Sequence, residues 1–75
     1  MATQKQIDYN RKTSAELGWN PSWFGASDFN DVLISNIIQF QVEHRTTPDG
    51  LCGPGTYRRL YASRMLEIGD LDPGP

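Results

Sequence analysis

Cys52 and His44 are the residues of this chain whose types could supply a nucleophile and its base. Such a pair needs the base within hydrogen-bond reach and a third group to orient it. Here the co-occurrence of the two residue types is the whole of the support. Cys52 occupies the apolar slot of 48-PDGLCGPGTYRRL-60, where a free cysteine behaves as a small buried hydrophobe. One cysteine and one histidine do not complete a four-ligand zinc site, so neither a metal nor another cofactor is expected. Glu16, Glu43 and Asp49 fall in different segments without the pairing of a glycosidase dyad. The chemistry left is recognition, and no catalytic residue is expected.

Recognition has better candidates. Asp49-Gly50 and Gly53 have the composition of a tight turn: the Asp side chain bonds nearby amides, Gly50 takes a positive φ, and Gly53 admits a close helix entry. The same turn is expected to offer backbone N–H and C=O groups to a ligand along its rim. Arg58 and Arg59 follow on a helix, and one of them should face out and grip a carboxylate in a bidentate fork. Trp23, Tyr57 and Tyr61 can stack on sugar or pack against peptide methyl groups; the alternative is burial in the core, which stays open for Trp23 and is the reading for Trp19. Gln41 both donates and accepts, and is placed to brace the Asp49 turn or to touch ligand.

The totals limit what such residues can belong to. Seventy-five residues make one domain whose core supplies only ~3–5 kcal/mol. A hydrophobic fraction of 37% is enough to fold rather than stay disordered. A formal charge of −2 gives no general attraction to nucleic acid or anionic lipid. The single cysteine excludes an internal disulfide framework. Asn20-Pro21-Ser22 is disqualified as a glycosylation acceptor by its proline. No apolar run approaches a membrane span, and the polar N-terminus shows no signal peptide.

The elements that must position these residues read as helices. Residues 1–12 are weakly patterned, and the Ile7/Tyr9 alternation predicts an extended segment laid on the domain. Thr13-Ser14-Ala15-Glu16 has the form of a capping box for a short helix stopped by Gly18 and Asn20-Pro21. A long central helix is expected from Asp28 to His44-Arg45, with Phe29, Leu33, Ile37 and Phe40 in one apolar row and Ile34 and Ile38 in another. A third helix should begin at Pro54 and turn Tyr57, Leu60, Tyr61, Met65 and Leu66 inward. Residues 68–75 read as a linker or tail. Phe24-Gly25-Ala26-Ser27-Asp28-Phe29 is echoed by Cys52-Gly53-Pro54-Gly55-Thr56-Tyr57, which suggests two loop-plus-helix halves in a compact all-α, three-helix domain. In that reading Asp28 and Thr56 accept from free amides at their helix starts.

The run Ile37-Ile38-Gln39-Phe40-Gln41, the turn Asp49-Gly50-Leu51-Cys52-Gly53-Pro54-Gly55-Thr56, and Leu60 four residues on resemble the type 1 peptidoglycan-binding domain. Gly18-Trp19 and Phe24-Gly25 are similar to the first half of that family's pseudo-repeat, so the resemblance spans residues 13–67. Pro21-Ser22-Trp23 stands where the family has a second Asp-Gly, and Cys52 where it has a branched aliphatic.

The resemblance implies a non-catalytic module that holds a cell-wall hydrolase on bacterial peptidoglycan, with that glycan–peptide polymer and the tethered hydrolase as partners. It implies action at the cell wall or periplasm, reached through a phage lysis system or a secretion machine, or as part of a longer chain. The expected ligand-binding set is Trp23, Gln41, Asp49, Gly50, Leu51, Gly53, Tyr57 and Arg58. They should face a shallow groove between the turn, the end of the middle helix and the start of the third. Arg58, Arg59 and Arg64 support an alternative, a helix-turn-helix-like nucleic-acid module. An adaptor that binds a protein through its tryptophans is a third reading.

Overall fold

The computed structural model describes residues 2–68, and side chains as far as residue 64. Three helices, α1 (Gln4–Leu17), α2 (Asp31–Glu43) and α3 (Pro54–Ile68), are joined through a 3-10 turn at Pro21–Phe24, with no strand among the described residues. The expected all-α, three-helix class is what forms.

The first helix differs most from the sequence reading. It covers residues expected to be extended, and its capping box is Thr3/Gln6 rather than Thr13/Glu16. Thr3 Oγ1 accepts from the Gln6 amide at 3.1 Å, and Gln6 Oε1 accepts from the Thr3 amide at 2.8 Å. Both sites satisfy the capping-box pattern, but a helix begun at Thr13 would have about one turn, too little to repay nucleation. Starting at Gln4 gives 14 residues, and Gly18 closes them with a left-handed φ of 89° and an N–H to Ser14 O. Thr13 is buried inside this helix and Glu16 is exposed.

The central helix starts three residues later than expected. Asn30, not Asp28, is its N-cap, accepting from the Leu33 amide at 3.1 Å. Asp28 instead bonds the next amide, that of Phe29. Leu33, Ile34, Ile37 and Gln41 form its buried face, while Val32 is 55% exposed. Pro54 opens α3 as expected. On α3 Leu60 is buried, Tyr57 half-buried and Tyr61 exposed, so Tyr61 does not point inward. Met65 and Leu66 lie beyond the described side chains, and of the expected tail 69–75 lies outside the described residues.

The core joins Trp19, Ala26, Leu33, Ile34, Ile37, Cys52 and Leu60, with Phe24, Phe29 and Phe40 half-buried against it. Trp19 is core as expected, edge-on to Phe24 at 5.4 Å. The two echoed stretches do different work. Gly25 closes the 3-10 turn in a left-handed conformation six residues before α2, whereas Gly53 directly precedes α3 without a positive φ.

Candidate functional site

The turn at residues 49–53 is held from three sides. Asp49 Oδ1 accepts from the Leu51 amide at 2.9 Å, closing the expected Asx turn. Gly50 takes φ 75°, and a Cβ there would stand 2.8 Å from Gln6 Nε2 and 3.0 Å from Ile34 Cγ2, so two constraints select glycine. At Gly53 a Cβ would meet the Tyr9 hydroxyl at 2.7 Å, the far end of an exposed side chain that can turn aside, so the fit is close without demanding glycine.

Gln41 is the hub beneath the turn. Its Nε2 lies within hydrogen-bond distance of Asp49 Oδ1 (3.0 Å), Leu51 O (3.1 Å) and Thr56 Oγ1 (3.1 Å), three acceptors that share its two N–H groups, and its Oε1 accepts from the Gly50 amide (2.9 Å). At 1% exposure its polar atoms are spent inside the protein, which is the bracing role. Thr56 therefore meets Gln41 rather than the amides of its own first turn.

A second hub was missed in the sequence. Asn10 of α1 is fully buried; its Nδ2 donates to Gly50 O and Gln6 O at 2.9 Å each, and its Oδ1 accepts from the Cys52 amide at 2.8 Å. Gln6 Nε2 adds a bond to Asp49 O at 3.0 Å. The signal was present: Gln6, Asn10 and Thr13 recur at helical spacing, as a polar row instead of an apolar one.

These bonds overturn the N–H half of one expectation. The amides of Asp49, Gly50, Leu51, Cys52 and Gly53 donate in turn to Thr47 O, Gln41 Oε1, Asp49 Oδ1, Asn10 Oδ1 and Leu51 O. The rim of the turn therefore offers a ligand none of its N–H groups.

Beside the turn an open groove of about 530 Å³ lies between the end of α2 and the start of α3. Gln41, Asp49, Leu51 and Gly53 of the expected set line it, together with Tyr9, Arg45 and Arg59, which were not in that set. Gly50 is buried and supports the groove without lining it. Arg58 and Arg59 are both exposed, but Arg59 faces the groove while Arg58 lines a separate hollow with Leu17, Tyr57 and Tyr61. Trp23 is apart as well: it stacks on Tyr57 at 6.4 Å, and the Arg64 guanidinium sits 4.3 Å from its ring centroid. The three arginines of α3 thus meet three different surroundings.

Arg45 owes its position to the end of α2. The Thr46 amide donates to Gln41 O (2.8 Å) and the Arg45 amide to Val42 O (3.2 Å), the paired bonds of a Schellman motif. Arg45 fills the left-handed slot that usually holds glycine, at φ 58°.

Cys52 is fully buried, and desolvation pushes its thiol up to about 12. Among the described residues no cluster of His, Cys, Asp or Glu is arranged to hold a metal ion, and no helix is long and apolar enough to cross a membrane. No family model, curated protein or solved structure matches this chain.

Proposed function

We propose that this domain is a non-catalytic peptidoglycan-binding module that keeps a tethered cell-wall hydrolase close to its insoluble substrate. One observation carries the reading: an open groove lies against the Asp49–Gly53 turn, between the end of α2 and the start of α3, where the sequence resemblance implies a ligand. Six side-chain bonds from Gln6, Asn10 and Gln41 fix the turn, so the groove wall is set before binding and little ordering entropy is lost there. The benefit to the hydrolase is local concentration, which raises its encounter rate with substrate without any new chemistry. Such a module acts at the cell wall.

Co-sedimentation with purified sacculi tests this. The domain should pellet with sacculi in a saturable manner and stay in solution with cellulose or chitin. Retention no greater than that of an unrelated acidic protein of similar size would reject the proposal.

A further inference from the structure

We infer that the groove recognises a free carboxylate of the peptide stems of peptidoglycan rather than its sugars, a step that rests on the wall-binding reading above. The argument begins with what the groove can donate. The turn's own amides are used internally. What remains is the side chains of Arg45 and Arg59, the hydroxyls of Tyr9 and Thr47, and the first-turn amides of Gly55 and Thr56 at the start of α3.

Two arginines, Arg45 and Arg59, line the groove against one acidic residue, Asp49, whose Oδ1 already accepts two bonds. In a chain of formal charge −2, cations are thus concentrated where the groove opens. Guanidinium is the group best shaped to hold a planar carboxylate through two parallel N–H bonds. The amino end of a 15-residue helix adds a favourable field for an anion at the same place. The Schellman turn that presents Arg45 does so from a backbone conformation unfavourable to arginine, and local stability alone would place glycine there.

Sugar recognition has less to work with in this groove; Trp23 lines a separate hollow with Asn36, Gln39 and Glu43. Stacking on a pyranose needs an open aromatic face. Trp23, the largest such ring outside the core, lies away from the groove with Tyr57 stacked beside it and Arg64 over it. Tyr9 is the groove's one aromatic lining residue among the described residues.

The test uses sacculi freed of phosphate polymers, so that carboxylate is the anion on offer. One portion is left intact and another has its carboxyl groups amidated with carbodiimide and ammonia. The proposal expects retention on intact sacculi, loss of most of it on amidated sacculi, and weakening of about tenfold or more for Arg45→Gln and Arg59→Gln. Both residues are exposed, and circular dichroism would confirm that the variants fold. The amidation arm needs no variant at all. Equal retention on intact and amidated sacculi overturns the carboxylate assignment and leaves wall binding standing. No retention on intact sacculi overturns both.

Discussion

Replacing Gln41 by glutamate changes one atom of consequence, the amide nitrogen whose two N–H groups are shared among Asp49 Oδ1, Leu51 O and Thr56 Oγ1. Size and shape are kept, and the Gly50 amide can still donate to the other oxygen. Thr56 can turn its hydroxyl and donate in reply. The Asp49 carboxylate and the Leu51 carbonyl cannot, so two attractive contacts become acceptor–acceptor contacts in a site 1% exposed. The bond to a charged carboxylate is worth ~1.5–3 kcal/mol and the bond to the carbonyl ~1 kcal/mol, before the cost of burying a new charge. A loss of at least ~3 kcal/mol is close to the ~3–5 kcal/mol that so small a core supplies. At ~4–8 °C per kcal/mol, the thermal midpoint should drop by more than about 12 °C at neutral pH.

The pH dependence gives the sharper check. Burial among acceptors raises the folded-state pKa of the new carboxyl above its unfolded value, so the folded variant holds a proton that the unfolded chain releases. Stability relative to wild type should therefore recover as pH falls through the folded pKa and be lost again as pH rises. Differential scanning fluorimetry across an acid-to-neutral series, with Gln41→Met as a neutral apolar control, would show it. A Gln41→Glu midpoint within a few degrees of wild type at neutral pH, or a deficit that does not shrink on acidification, would refute the bracing network.

Asn10→Ala should leave the Cys52 amide and the Gly50 carbonyl without their partner, costing about 2–4 kcal/mol; a urea midpoint near that of wild type would contradict it. Arg45→Gly should raise stability by about 0.5–1 kcal/mol by relieving a left-handed arginine, and weaken sacculus binding at the same time. A lowered thermal midpoint would show that the arginine is not strained. The Cys52 thiol is protonated in the fold up to about 12 against 9.0 for a free thiol. Its contribution to stability is therefore complete below 9.0 and is lost as pH rises toward the folded value. At neutral pH a disulfide reagent should label it only through opening of the fold, far more slowly than it labels the thiol of the urea-unfolded chain; immediate labelling would show an open site.

The parts legible in the sequence were those that follow an apolar period or a fixed turn chemistry. Leu33, Ile34 and Ile37 marked α2, Pro54 marked α3, and Asp49-Gly50 marked the turn. α1 was hidden because its inward row includes Gln6, Asn10 and Thr13, which a search for apolar periodicity passes over. The inward placing of Gln6 and Asn10 makes sense only once backbone some forty residues away supplies the partners, while Thr13 bonds Asn10 O within α1. The choice between Arg58 and Arg59 turned on helix phase, since neighbouring residues differ by ~100° around the axis. Arg45 was missed because arginine in the left-handed slot conceals a motif that glycine would have announced.

The central claim is that ligand enters the groove beside the Asp49–Gly53 turn. Titrating the ¹⁵N-labelled domain with a soluble muropeptide, a disaccharide bearing its peptide stem, tests this most directly. The account predicts saturable shifts at the amides of residues 45–47, 53, 55 and 56 and at the guanidiniums of Arg45 and Arg59, which surround that groove. Shifts confined to Trp23, Tyr57 and Tyr61, or none at concentrations that saturate sacculus binding, would contradict it.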